Sequence, residues 1–305
     1  MRIRVLGAAA GGGFPQWNCN CANCSGLRRG TLQATSRTQS SIAVASSPDR
    51  WVLCNASPDI HRQIASTPAL MPREGVRGSP IAAVLLVDGQ IDHAGGLLLL
   101  REQSEPLEVW STDAVRDDLI TDLPILSVLD RYCGVRWQRI ATDGAPFQVA
   151  ALPGISVRAL PVAGKPGPYS RHREKPRVGD NIGLAFRDER SGRQLLYAPG
   201  LGEITPQIEA TLAESDCALV DGTFWSDDEL LAAGIARKRA RDMGHLAQTG
   251  PAGMLEVLGR LGARTRRVLI HINNTNPILN ERSAERAQLN ARGIEVAFDG
   301  MEIDV

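Results

Sequence analysis

Three cysteines, Cys19, Cys21 and Cys24, fall within one short segment, WNCNCANCSG. Thiolates spaced this way are soft ligands that would close a tetrahedral zinc site once a fourth donor arrived. No second C-x-x-C follows, so that donor must come from elsewhere in the chain. A redox cluster or a simply buried one is the alternative reading. Cys54, Cys133 and Cys217 stand singly in or near apolar stretches and read as small core hydrophobes.

A second group of candidate ligands is dispersed. In VLLVDGQIDHAGGL an apolar run ends in Asp88, Gln90, Asp92 and His93, followed by Gly95, Gly96 and a helical pattern. A buried strand holds its end rigidly, and an adjacent Asp and His on the turn after it can point at one metal ion. Two more apolar runs end alike, ALVDGTFW at Asp221 and RVLIHINNTNP at His271. Each residue alone has a plainer use: Asp221 as the start of a turn with Gly222, His271 as a hydrogen-bonded core histidine. His245, in RDMGHLAQTG, is a candidate general acid or base or a further ligand, with a surface histidine as the alternative. His61, inside an amphipathic helical pattern, and His172, in a basic stretch, rank lower.

The elements that must position these residues are legible as runs. Strands are expected near Arg2–Leu6, Ser41–Ala45, Trp51–Asn55, Ile81–Val87, Leu107–Trp110 and Ile155–Val162. A second series follows at Asn181–Phe186, Gln194–Ala198, Cys217–Asp221, Val268–His271 and Ile294–Phe298. Helical patterns cover Pro58–Ser66, His93–Arg101, Pro206–Glu214, Pro251–Leu261 and Glu281–Arg292. Two strand series with interspersed helices and no long linker predict an α/β domain over 1–305, two sheets packed face to face with helices outside. The Cys loop occupies about 11–26 of it. Residues 164–180, GKPGPYSRHREKPRVGD, carry Lys165, Arg171, Arg173, Lys175 and Arg177 among Pro and Gly, and are expected as a mobile basic loop bordering the site.

Composition narrows the function. With 43% hydrophobic and 22% charged residues the chain is expected to bury a large core, and 34 basic against 34 acidic residues leave no net field to gather nucleic acid or an anionic membrane. No apolar run approaches the roughly 18 residues of a membrane span, and MRIRVLG alternates like a first strand, so the expected address is the cytoplasm. Gly11–Gly13 follow a strand, but neither G-x-G-x-x-G nor G-K-[ST] is present, and no G-x-S-x-G supports a serine hydrolase.

The order of a strand, H-x-H-x-D-H, a distant Asp and a final His is that of the metallo-β-lactamase superfamily, which this chain resembles along most of its length. The resemblance implies a four-layer αββα sandwich of two mixed sheets. It sets Asp88 and Gln90 where the first two histidines belong and Gly164 where the third would stand. One metal site of the usual two is thereby dismantled, leaving Asp92, His93, Asp221 and His271 for a single ion. Two histidines and one or two carboxylates with open positions suit ferrous iron, although zinc or manganese would accept the same ligands.

A closer resemblance rests on GAAAGGGFPQWNCNCANCSG, NASPDIHRQI, YAPGLGEITP, VDGTFW, MGHLAQTG and HINNTNP. Jointly these are similar to the pyrroloquinoline quinone (PQQ) biosynthesis B family. That implies an iron-dependent hydroxylase acting on the tyrosine ring of a small Glu-Tyr-derived precursor, beside other proteins of the pathway. His245, Asp88 and Gln90 are then the catalytic candidates, and the basic loop would recognise carboxylates. Related phosphonate-pathway cyclic phosphodiesterases use a His three residues after the final metal His. Asn274 stands there, so the fourth zinc ligand is Asn274, His61 or water, in that order. The competing functions are a zinc or manganese hydrolase and a carrier of the cofactor or its precursor.

Overall fold

The computed structural model describes residues 1–73 and 75–305. Its strands, in chain order, are β1 (Arg2–Gly7), β2 (Ser41–Ser47), β3 (Arg50–Cys54), β4 (Ile81–Leu85), β5 (Leu107–Ser111), β6 (Val135–Arg139) and β7 (Pro146–Gln148). They continue with β8 (Ile155–Pro161), β9 (Ile182–Asp188), β10 (Gln194–Ala198), β11 (Cys217–Asp221), β12 (Arg266–Ile270), β13 (Ile294–Val296) and β14 (Glu302–Asp304). One sheet runs β14-β1-β2-β3-β4-β5-β6 and the other β13-β12-β11-β10-β9-β8-β7, seven strands in each among the described residues.

Alternation within the strands builds the layers. In β10, Leu195 and Tyr197 enter a core shared with Ile3, Val44 and Leu85 of the other sheet, whereas Leu196 and Ala198 face outward against Ile208 and Leu212. The first sheet does the same: Leu85 faces inward, and Val84 and Leu86 turn out onto Leu97, Val115 and Leu119. Both faces of each sheet are therefore buried, which is why the strands read as continuous apolar runs. Helices cover the outer faces, and the fold is a four-layer αββα sandwich of two mixed sheets. Each fully buried Leu or Ile contributes about 1.5–3 kcal/mol by leaving water.

The central strands are parallel, β3 to β6 in one sheet and β10 to β13 in the other. Their crossovers are helical, so polar residues collect where the strands end. The two sheets meet at that end: Asp88 and Asn181 form a bridge, and Ile182 donates its N–H to the Val87 carbonyl at 2.8 Å.

Several elements depart from the sequence reading. The run expected as one helix over His93–Arg101 is a short α-helix, Ile91–Ala94, followed by a 3₁₀ turn, Gly95–Leu100. Gly96 packs so tightly against Ser57 that a Cβ would lie 1.9 Å from its carbonyl oxygen, and the tighter coil makes that approach possible. The strands β6, β7 and β14 lie at or near sheet edges, where mixed polarity hides a two-residue period. Helices Ala22–Arg28, Asp113–Thr121, Ile125–Leu129 and Glu229–Ala232 were likewise not expected; most are too short to show a helical period. Among the described residues no helix is long and apolar enough to cross a membrane.

Candidate metal centre

Asp88 follows β4, and its carboxylate lies 2.9 Å from His93 Nδ1 through both oxygens. That contact fixes the imidazole with Nδ1 protonated and turns Nε2 the other way. Nε2 is buried and has no hydrogen-bond partner among the described residues. Asp92 Oδ2 lies 3.9 Å from it and 3.2 Å from His271 Nε2. Donor atoms of Asp92, His93 and His271 thus converge within 4.8 Å of one another.

The electrostatics favour positive charge here. Burial lowers the His93 affinity for a proton, yet Asp88 and Asp92 outweigh it and raise the group to about 9. Burial would raise Asp92, but the His93 charge and the His271 hydrogen bond hold its carboxyl well below the usual range. Burial also depresses His271, leaving a neutral imidazole suited to ligation. The same two carboxylates that raise His93 would favour a divalent cation at its Nε2, binding of which requires that nitrogen to be unprotonated. An orphaned imidazole nitrogen, a neutral imidazole and an ionised carboxylate are a donor set that fits such an ion.

Asp221, at the end of β11, is fully buried, and its carboxylate accepts four hydrogen bonds. They come from Leu201 N at 2.9 Å, Thr223 N at 2.9 Å, Thr223 Oγ1 at 2.6 Å and His245 Nδ1 at 2.7 Å. Burial would raise this carboxyl, but His245 and His271 pull it down. Asp221, His245 and His271 also place donor atoms within 4.8 Å, so a cation on Asp221 would have to displace the His245 contact. His245 stacks on His271 with ring centroids 5.3 Å apart; burial lowers its pKa, but Asp221 and Asp92 together raise it above the ordinary value.

His271 itself stands just past β12 in the left-handed region, at φ +61, a conformation a non-glycine residue adopts only where its surroundings enforce it. Thr223 supplies that enforcement: its Oγ1 lies 2.9 Å from both Nδ1 and the carbonyl oxygen of His271. Sequence reasoning missed Thr223, although it lies inside the VDGTFW motif two residues after the strand-end carboxylate.

The three histidines and Asp92 line a cavity of about 290 Å³. Gln90 lines it too and donates Nε2 to the Lys165 carbonyl at 3.3 Å, tying the metal end to the basic segment. Gly164 stands against Asn181, whose Nδ2 would lie 2.8 Å from a Cβ on the glycine. The basic segment is anchored by the Tyr169 hydroxyl on the Gly89 carbonyl and by ion pairs of Arg171 and Arg177. Of its five basic residues, Lys165 and Arg173 line the cavity, so the segment borders the site through part of its length. His172 lies 3.6 Å from Asp117, outside the cavity lining.

The cysteines form a separate group. Sulfur atoms of Cys19, Cys21 and Cys24 lie within 4.8 Å of one another, and the Asn274 side-chain amide sits 3.1, 3.6 and 3.4 Å from them. Backbone N–H groups of Gln16, Cys21 and Cys24 point at sulfur, an arrangement that favours thiolate. Burial opposes ionisation of Cys19, but the hydrogen bonds it receives lower it; Cys21 is pushed up to about 11 by burial. His61, the second candidate for the fourth position, lies elsewhere, its Nε2 2.9 Å from the Leu99 carbonyl.

This two-sheet frame with strand-end ligands has a counterpart among known proteins: residues 50–272 match the Beta-lactamase superfamily domain family. The chain is a metallo-β-lactamase-fold protein. A diphosphatase of the PhnP family shares that fold at 18% identity, with a TM-score of 0.67 over 99% of this chain and 97% of the other. More narrowly, the chain belongs to the coenzyme PQQ synthesis protein B family. It is 55% identical over 305 residues to the Azoarcus sp. (strain BH72) protein of that name, covering 100% of both. Against the Cupriavidus necator protein identity is 56% over 301 residues, with 99% of this chain and 98% of the other covered. The crystal structure of zinc-bound PqqB from Methylobacterium extorquens superposes with a TM-score of 0.89 at 39% identity and complete coverage of both chains.

Proposed function

We propose that this chain serves PQQ biosynthesis as a mononuclear, ferrous-iron oxygenase that hydroxylates the tyrosine ring of a Glu-Tyr-derived precursor. The observation that carries the reading is the convergence of Asp92, His93 and His271 with His93 Nε2 buried and unpartnered, while the overlapping group of Asp221, His245 and His271 is closed on itself by the Asp221–His245 hydrogen bond. Iron held by two histidines and a carboxylate, with positions left open, supplies the chemistry by which dioxygen attacks an aromatic ring. A two-metal hydrolase needs a second cation, and the residues at that position are otherwise engaged: Asp88 on His93, Gln90 on Lys165, and Gly164 beneath Asn181. A carrier is less favoured by retained metal ligands, since there a metal would serve only to hold the quinone.

In this reading Asp88 fixes the His93 tautomer, and Thr223 and Asp221 set the orientation of His271 and His245. His245, engaged through Nδ1, has Nε2 left to exchange a proton with the substrate phenol. Cys19, Cys21 and Cys24 hold a structural zinc, and Asn274, whose Nδ2 faces the sulfurs, would complete it only through Oδ1 after the amide turns over. The protein works in the cytoplasm with other proteins of PQQ synthesis.

The test is anaerobic reconstitution with Fe(II), followed by oxygen uptake and product mass with a Glu-Tyr peptide and ascorbate, because each inserted oxygen atom requires two electrons from a reductant. Addition of one or two oxygen atoms to the tyrosine, absent with zinc-loaded protein and with His93→Ala, is expected. Hydrolysis of a phosphodiester or amide by the zinc form, with no oxygen consumed by the iron form, would replace this reading.

A further inference from the structure

Basic side chains around the cavity follow a pattern that the metal chemistry does not use. On one rim Arg171 pairs with Asp122 at 2.7 Å, and Arg177 pairs with Asp117, Asp118 and Asp180. Between them Arg173 lines the cavity without a carboxylate partner among the described residues. On the other rim Arg239 and Arg241 both pair with Asp227, whereas the adjacent Lys238 lines the cavity, again without a carboxylate partner among the described residues. On the first rim Lys165 also lines the cavity but pairs with Glu174 at 3.1 Å, and Arg173 donates Nη1 to the Pro166 carbonyl, so each rim leaves one cation in the lining, Arg173 or Lys238, without a carboxylate partner among the described residues.

The rims meet, since a Cβ on Gly244 would lie 3.3 Å from Gly164 Cα. Beside this seam Asn181 also lines the cavity, and its Nδ2 is buried with no hydrogen-bond partner among the described residues. A buried amide N–H left without an acceptor costs stability, and a ligand oxygen brought within reach past Gly164 would recover that cost. The negative groups Asp88 and Asp92 lie at the metal end, so anionic groups of a ligand are drawn toward the rims and away from the triad.

From this arrangement we infer that Arg173, Lys238 and Asn181 form a recognition site for a dicarboxylate. Arg173 and Lys238 each take one carboxylate, and Asn181 Nδ2 donates to an oxygen of one of them. Two cations on separate segments suit two anionic groups at different ends of a ligand better than one shared group. The site sets which molecules enter and leaves the metal end for the ring between the carboxylates. It deepens the functional reading above and rests on it only for the choice of peptide probe.

The experiment is equilibrium calorimetry on the zinc-loaded full chain, which binds without turnover. Probes are glutamyl-tyrosine, its two mono-amides, its diamide, and naphthalene-2,6-dicarboxylate, which lacks a peptide backbone. The wild type is expected to bind the dipeptide diacid about tenfold more tightly than either mono-amide. Arg173→Gln and Lys238→Gln should each lose about tenfold on the diacid and become indifferent to one amide replacement, a different one for each variant. Asn181→Ala should weaken diacid binding several-fold, and Lys175→Gln, on the same segment but outside the cavity lining, should bind as the wild type does. Equal affinity for acid and amide, unchanged diacid binding in both cation variants, or no binding of any dicarboxylate would overturn the inference. Acid-over-amide preference without oxygen consumption keeps this site and removes the hydroxylase reading; hydroxylation without that preference does the reverse.

Discussion

The cysteine knuckle and the Asp92–His93–His271 group are joined by the four residues from His271 to Asn274, yet their donors sit in different surroundings. The knuckle draws its three thiols from one turn of chain, points backbone N–H groups at them, and is closed by the Asn274 amide. The triad is assembled from the short helix Ile91–Ala94 that follows β4 and the residue just past β12, faces a cavity, and keeps one imidazole nitrogen unpartnered. A closed donor set around a metal holds shape, and an open one admits a ligand. HINNTNP serves both: His271 turns to the cavity, Asn274 to the sulfurs, and Asn23 clamps the segment by donating to the Asn274 and Asn276 carbonyls at 3.1 and 2.9 Å.

That contrast predicts separable losses. His93→Ala should abolish turnover, by at least about a thousandfold, and lower the content of cavity metal while the unfolding midpoint stays near that of the wild type. A large loss of stability would mean that the triad also holds the fold together. Cys24→Ser should act in the opposite sense. It removes a fully buried thiol, and loss of the knuckle zinc is expected to lower stability by on the order of 3–6 kcal/mol in chemical denaturation, with iron binding at the triad retained in the folded fraction. Zinc analysis showing full metal content and normal stability would contradict a closed structural site.

Asp88→Asn probes the open site more gently. It keeps the size of the side chain but weakens the grip on His93 Nδ1, so affinity for the cavity metal should fall about 10–100-fold with knuckle zinc unchanged. Metal titration followed by calorimetry reads this directly. An unaltered affinity would show that His93 needs no such support.

The smallest effect concerns the link between the centres. Glu229 accepts hydrogen bonds from the Thr275 hydroxyl and from Trp225 N, and Thr275 stands beside Asn274. Burial pushes its carboxyl up to about 7, against the pull of those two donors. Between its ordinary 4.5 and about 7 the folded chain holds a proton that the unfolded chain has released, so this group makes stability fall as pH rises through that window. Glu229→Gln mimics the protonated form. It should match the wild type below about pH 4.5 and exceed its stability above about pH 7 by on the order of 1–3 kcal/mol. Parallel stability–pH curves for the two proteins would refute the assignment.

Much of this was legible before any coordinates. Long apolar runs, both of whose faces are buried, stood out as strands, and helix Pro206–Glu214 matched its expected limits. Cys19, Cys21 and Cys24 declared themselves by spacing, as did Asp88, Asp92, His93, Asp221 and His271 by standing where apolar runs end. Short edge strands such as Val135–Arg139 did not, because half-exposed residues break the alternation. Lys238 was hidden in a run of basic residues of which Arg239 and Arg241 are tied to Asp227. Asn181 gave no signal, since an unpartnered amide is a property of its neighbours.

The sequence by itself determined the strand ends and the chemistry carried on them, because burial pattern and residue type are local. Partnership was decided by the tertiary structure. Asp88 stands on the far side of His93 from the triad, Thr223 braces His271 from 48 residues away, and Arg173 and Lys238 face one cavity from two segments. A hydrogen bond or an unpaired charge depends on distances that only the packing of two sheets creates.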